Sequence, residues 1–417
     1  MGFFRSSWNR LQGKKEGSIR KEWAFDTHSE MLARPLSFRH DGKLYVAFGT
    51  ASGTFYLLGD HAEVVWSFSA RNDLGKLEGL FLDKSVASGI FSTPALLYLD
   101  KATVPIFLFG SDDFSLYALN FDGSLRWRFK SKGAIRTTPL IRDIDDDGKE
   151  EIIFGSRDGN LYSIDQDGIQ KMGFKAASGI DSSPAIIGEG QDRRVIFGSD
   201  DGTVYALDKS FSRVWEFRTG GKITAQPAVA DLSGDGRQEI IIGSFDGRLY
   251  VLGFDGSLRW RYETEGGIAA KVSVYDVNSD GKPEILFGSS DDRVYCLSCT
   301  GNKIWDFEAD FWVVDTPHVI DLDSDGRLEV VVGSLDSTLY VLDGEGSYSL
   351  QYMPGIAGIT QQSGHYNETI SQDVGDYAGK RLWQAKTDGM VIGADVQEGC
   401  VIVGTKNGTV EKFSFNR

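Results

Sequence analysis

The sequence predicts an all-β chain of eight four-stranded blades closed into a ring, and three observations carry that prediction. An acidic nonapeptide, D-x-[DSN]-x-D-G-x-x-E, recurs four times; its last three copies start 45 residues apart and its first two 88 apart, close to two such periods. A longer unit of short alternating strands and Gly-rich turns recurs eight times. The strand missing from the last unit is found at the opposite end of the chain. Four short strands per unit at this period are the signature of a β-propeller.

The units can be followed in order. The clearest copies are FGSDDFSLYALNFDGSLRWRF from Phe109, FGSDDGTVYALDKSFSRVWEF from Phe197, IGSFDGRLYVLGFDGSLRWRY from Ile242 and FGSSDDRVYCLSCTGNKIWDF from Phe287. FGSRDGNLYSIDQDG from Phe154 and VGSLDSTLYVLDGEG from Val332 are shorter, and FGTASGTFYLL from Phe48 and VGTKNGTVEKF from Val403 are degenerate. Asp-Gly, Ser-Gly and Asn-Gly dipeptides between alternating strands mark hairpins. The opening strand of most units carries a proline (Pro35, Pro94, Pro139, Pro184, Pro227, Pro317), tolerated where no ladder donor is needed; Val272 stands there in one unit. The eighth unit stops at Arg417 before a Trp strand, while Gly17-Ser-Ile-Arg-Lys-Glu-Trp23-Ala-Phe25 matches Gly123-Ser-Leu-Arg-Trp127-Arg-Phe129. The N-terminal strand is therefore expected to complete the last blade, which removes the open sheet edges. Residues 16–417 form one domain in this scheme, with a leader at 1–15 and enlarged connecting loops at 69–91 and 353–389. Both loops are expected to join an outer strand to the next inner strand and so to project from one face.

The acidic copies supply the candidate metal ligands. They are Asp143, Asp145, Asp147 and Glu151; Asp231, Ser233, Asp235 and Glu239; Asp276, Asn278, Asp280 and Glu284; and Asp321, Asp323, Asp325 and Glu329. Alternate oxygens at positions 1, 3 and 5 can converge on one hard cation, the glycine at position 6 permits the sharp turn, and the last carboxylate closes the cage. The all-oxygen set favours calcium, in a structural role. Asp, Asn, Ser and Gly also build tight turns without any ion. Against that alternative stand the glutamate fixed at position 9 and the cost of crowding like charges.

The Leu-Tyr-Ala-Leu-Asp…Gly…Trp pattern resembles the pyrroloquinoline-quinone-type propeller repeat, in which the Trp docks between neighbouring blades. The acidic loops resemble those of FG-GAP and VCBS-type repeats, including integrin-headpiece propellers, where they bind calcium. These resemblances imply a fold, and such folds host enzymes, assembly factors, sensors and adhesins alike.

Other residue patterns limit the function. The formal net charge of −16 argues against a nucleic-acid surface. No apolar run approaches the ~18 residues of a membrane span. Cys296 and Cys299 form a lone C-x-x-C on a strand and turn, short of a zinc set. Residues 1–15 lack the apolar core of a secretory signal, so the expected compartment is the cytoplasm. Phe4, Trp8 and Leu11 share a helical face beside Arg5, Arg10, Lys14 and Lys15, a pattern suited to peripheral membrane contact.

Residues near the inner-strand prolines are expected to ring the channel mouth: Arg136, Asp181, Gln226, Lys271, Asp315 and His318, with His365 and Tyr366 from the second loop. They carry no repeated His–carboxylate pair that would announce catalysis. The expectation is a monomeric, non-catalytic platform that binds a protein partner. The alternatives are a rhamnogalacturonan-type polysaccharide lyase or other glycan-binding propeller, with Lys271, His318 or His365 as the base, and a quinone-dependent dehydrogenase. No pyrroloquinoline quinone is expected, because the adjacent Cys pair common in those enzymes is missing.

Overall fold

The computed structural model describes residues 18–70, 89–99, 104–322, 324–345, 377–378, 381–397 and 399–416. The leader, most of both long loops and Asp323 lie outside the described residues. Among these residues there are eight sheets, seven of four antiparallel strands and one with a fifth, short strand added in parallel. Blades 1 to 7 begin at the inner strands Leu36–His40, Ala95–Leu97, Leu140–Arg142, Ala185–Ile187, Ala228–Ala230, Ser273–Tyr275 and His318–Ile320. Blade 8 is built from Val391–Gln397, Cys400–Thr405, Thr409–Asn416 and, from the other end of the chain, Ser18–Asp26. That N-terminal strand pairs antiparallel with Thr409–Asn416 from Ser18↔Asn416 to Asp26↔Thr409, so the predicted closure is present.

Burial follows strand position. The two middle strands of each blade are buried almost throughout, as in Ile106–Gly110 and Ser115–Leu119 of blade 2. Outer strands alternate between exposed and half-buried residues, as in Leu125–Lys130, because only one face meets a neighbouring blade. The core is a set of layers between blades: Ile153 and Leu161 of blade 3, for example, pack with Val195, Phe197 and Tyr205 of blade 4.

Two polar devices staple the blades. The first explains the repeated Trp. The indole N–H of Trp23, Trp66, Trp127, Trp215 and Trp305 donates to the carbonyls of Asp60, Phe121, Gln166, Phe254 and Gly344 in the next blade, at 2.8, 2.8, 2.8, 3.1 and 3.0 Å. Gly123 (φ +83°) lies under Trp66, and a Cβ there would sit 2.8 Å from the indole Cδ2. Where Met172 replaces Trp in blade 3, Phe211 (φ +60°) replaces the glycine in blade 4 and packs with Met172 in one cluster. The second device explains Asp-x-x-x-Tyr. Asp246 accepts both the Tyr250 hydroxyl (2.6 Å) and the backbone N–H of Gly220 on the preceding connector (2.6 Å). Asp158, Asp291 and Asp336 repeat that pattern.

The second long loop lies elsewhere than expected. The outer strand of blade 7 is Arg381–Lys386, paired with Thr338–Asp343, so the insertion joins the third and fourth strands of one blade. It therefore leaves from the face opposite the 69–91 connector. Its boundary also shrinks, since residues 381–386 belong to the sheet. On its way it adds Tyr377–Ala378 as a short parallel strand against Trp305 and Asp306 of blade 6.

Two deletions and a point variant test the closure. Removing residues 1–25 takes out most of the strand that completes blade 8, and no soluble folded monomer is expected. A chain lacking only residues 1–14 keeps the wild-type urea midpoint. Trp23→Ala retains the ladder and lowers stability by about 2–4 kcal/mol. A fully stable monomer from the longer deletion would contradict closure.

Candidate functional site

The four acidic loops are the hairpins between first and second strands of blades 3, 5, 6 and 7. Each is organised by its own backbone. The position-1 carboxylates of Asp143, Asp231, Asp276 and Asp321 accept the N–H of Gly148, Gly236, Gly281 and Gly326 at 3.0, 2.8, 2.9 and 2.9 Å. One oxygen of each buried Glu151, Glu239, Glu284 and Glu329 accepts the N–H at position 2 (Ile144, Leu232, Val277, Leu322) at 2.9, 2.9, 3.0 and 2.8 Å. The glutamate thus closes the turn without an ion, which corrects the expectation that turn chemistry leaves it unexplained. Its second oxygen takes no part in that bond.

The loops differ in what faces that oxygen. In blade 3, Lys171 from the outer strand lies 2.7 Å from Asp145 Oδ2, 3.1 Å from Asp147 Oδ2 and 2.8 Å from Glu151 Oε1. Burial opposes the Lys171 charge, but hydrogen bonds to Asp145, Glu151 and Asp147 outweigh it and push its pKa up. Among the described residues, Asp143, Asp145 and Glu151 are the carboxylates gathered as a trio, with one oxygen of each within 4.8 Å of the others. The equivalent outer-strand residue is Arg259 in blade 5, Ile304 in blade 6 and Leu382 in blade 7. In blade 6, burial pushes the Glu284 pKa up to about 7, with Asp280 and Asp276 adding repulsion. That loop carries charge that its own outer strand does not neutralise.

The inner strands line a central cavity of about 740 Å³. Arg136, Gln226, Lys271 and His318 line it as expected, joined by Arg34. Arg136 clamps Asp112 through two hydrogen bonds of 2.9 and 2.5 Å, and Gln226 donates to the Pro184 carbonyl at 3.0 Å. His318 Nε2 lies 3.5 Å from Arg34 Nη1. Burial, then the Arg34 charge, holds the His318 pKa down at about 4, so the ring is neutral at pH 7. Asp181 stays at the rim with Lys222 at 3.0 Å and Arg157 at 3.4 Å.

Asp315 also lines the cavity, but from a buried position. It is 2% exposed, and its Oδ2 accepts the N–H of Gly333 (3.1 Å) and Ala394 (3.2 Å) inside the protein. Thr137 and Ser182 receive Gly155 and Gly198 in the same way in blades 3 and 4. The Asp315 carboxylate is thus held by backbone groups of blades 7 and 8, and Thr316 beside it lines the channel too. His365 and Tyr366 lie outside the described residues.

Sequence reasoning missed two features. Arg34 precedes Pro35 as Lys271 precedes Val272, a register match within a degenerate unit. The other is apolar exposure on three successive connectors. Phe311 (41% exposed) and Trp312 (46%) stack with centroids 5.4 Å apart and planes 1° apart, and Met390 and Leu32 are exposed on the next two connectors.

Residues 108–210, 194–274 and 263–353 match the model of the lambda-carrageenase β-propeller domain. The chain belongs to that family. No curated protein matches the chain in sequence. Among solved structures, BamB from Moraxella catarrhalis is similar at 16% identity and TM-score 0.63, over 95% of this chain and 99% of that one. Saccharomyces cerevisiae Sqt1 is similar at 11% identity and TM-score 0.67, over 95% and 99%. BBS1N, solved in complex with ARL6DN, is similar at 11% identity and TM-score 0.52, over 79% and 93%. At these identities the likeness establishes the propeller fold alone. Among the described residues no helix is long and apolar enough to cross a membrane.

Asp315 makes a pH prediction. Burial pushes its pKa up to about 7, above the ordinary carboxylate value. A folded-state pKa above the unfolded one gives stability that is present at low pH and lost as pH rises through about 7. Asp315→Ser, the residue blade 4 uses, is expected to keep the fold and remove a stability loss on the order of 2–4 kcal/mol between pH 4 and 8. Melting temperatures of both proteins across that range test this; parallel curves would refute it.

Proposed function

We propose that this chain is a non-catalytic, monomeric interaction platform that binds a protein partner through its connector face, while calcium stiffens the opposite face. The observation that carries the proposal is the exposed Phe311–Trp312 stack with Met390 and Leu32 on neighbouring connectors. Contiguous apolar exposure rimmed by charge is the usual mark of a docking surface, and aromatic side chains dominate the energy of such surfaces. The similar BBS1N was solved in complex with ARL6DN, which supports a chain of this fold binding a protein partner.

Calcium is assigned to the loops of blades 5, 6 and 7. At the position of Lys171 these blades carry Arg259, Ile304 and Leu382, so none brings a lysine into its loop from that strand, and an oxygen-only set suits a hard cation. In blade 3 the Lys171 ammonium serves as a built-in counter-ion. The ions would pin each inner hairpin and take no part in chemistry.

A second reading, glycan binding, is favoured by the family match alone: the family carries the name of a lambda-carrageenase. Stacked aromatic rings also suit sugar faces. The two readings part in one experiment. Capture from native-host lysate with the wild type and with a Phe311→Ala, Trp312→Ala double variant is run beside binding of λ-carrageenan. A protein retained by the wild type and lost at least tenfold by the variant supports the platform. Polysaccharide binding with no such protein supports the glycan reading.

The metal assignment has its own test. Chelation is expected to lower the melting temperature and calcium to restore it, with three ions bound per chain by calorimetric titration. Lys171→Met is expected to add a fourth. No melting shift in either direction would sink the metal assignment.

A further inference from the structure

The charge balance of the central channel is opposite to that of the rest of the chain. Formal net charge is −16, and the rim cations are paired: Arg136 with Asp112 at 2.5 Å, and Lys222 with Asp181 at 3.0 Å. Two further cations on the channel wall, the half-buried Arg34 and the exposed Lys271, differ. Lys271, among the described residues, has neither an ion pair nor a hydrogen bond to its ammonium. Among the described residues the side-chain partner of Arg34 is the neutral His318 imidazole, 3.5 Å away.

The nearby carboxylates are engaged elsewhere. Asp315 Oδ2 takes two backbone N–H groups inside the protein, and Asp395 Oδ2 takes both the N–H and the hydroxyl of Ser37, at 2.6 and 2.7 Å. Partial desolvation, then repulsion from Arg34, pushes the Lys271 pKa down, although the side chain stays open to solvent. Two like charges on one channel wall repel each other, and a bound anion would relieve that repulsion. A guanidinium fork beside a mobile ammonium is the donor set that proteins direct at planar or tetrahedral oxyanions. Hydroxyls of Thr93, Thr138 and Thr316 occupy matching positions in the neighbouring blades and add neutral donors. The volume, about 740 Å³, lies within the range of small-ligand sites.

We propose that the channel binds a small organic or inorganic oxyanion, its carboxylate, sulfate or phosphate group held between Arg34 and Lys271. The site is separate from the connector face and from the acidic loops, so it stands whether or not either of those assignments holds.

The test uses the full chain in calcium-free buffer, with citrate, sulfate and phosphate as probes against chloride at matched ionic strength. Calorimetry is expected to give saturable one-to-one binding of at least one probe, and the preferred probe separates a carboxylate ligand from a tetrahedral one. Arg34→Gln and Lys271→Met are each expected to weaken that binding at least tenfold. Arg126→Gln, on an exposed outer strand, leaves it unchanged. Lys271→Met without anion is expected to melt at or above the wild-type temperature, since it removes an unpaired charge. A readout independent of variants is acylation of Lys271 in the wild type, followed by mass spectrometry: the bound probe slows it, and labelling of Lys282 is unaffected. Absence of saturable binding by all three probes, binding retained in both channel variants, or no protection of Lys271 would overturn the proposal.

Discussion

The structure depends on one repeated interaction, an outer-strand tryptophan whose N–H reaches a turn carbonyl of the next blade. Each blade is a small sheet that cannot bury both faces alone, so its stability is shared with its neighbours. The indole supplies apolar area for the wedge between blades and a directional hydrogen bond that sets their spacing. Because the contacts run one way round, the ring is complete only when blade 8 reaches blade 1. Trp23 makes that contact with Asp60 from a strand at the far end of the chain. At the other seam of blade 8 the Trp383 indole meets Phe415 edge-on with centroids 4.6 Å apart.

A ring stapled in this way holds its two faces apart and lets each be specialised. One face carries the acidic hairpins, which are closed by their own backbone before any cation is considered. The other carries the connectors, with paired charges on the rim of blades 3 to 5 and apolar side chains beside blades 6 to 8. Between them the channel holds Arg34 and Lys271. Negative, apolar and positive surfaces are thus separated by rigid blades, so that three kinds of contact can be made without mutual neutralisation.

Much of this was legible in the residues. Repeat spacing, Gly-containing turns and the match of Gly17–Phe25 to Gly123–Phe129 specified the blade number and the closing strand. What was not legible follows from two physical causes. Strand side chains alternate with a period of 2, so one residue of register decides how openly a side chain meets the channel; Asp315 is buried at its wall and Arg34 was passed over. Contacts made across a blade are invisible in local spacing. Lys171 enters its loop from the outer strand, 20 residues beyond Glu151, and no motif marks it. The second insertion was assigned to the wrong face because the Trp strand of blade 7, Arg381–Lys386, lies far beyond the period that located the others.

The most direct test of the account is hydrogen exchange of the chain, alone and bound to a partner recovered through it. Slowed exchange in the connectors 309–317 and 387–391, with the acidic hairpins unchanged, is the predicted footprint. Protection confined to the acidic hairpins would place the binding surface on the opposite face and contradict the account.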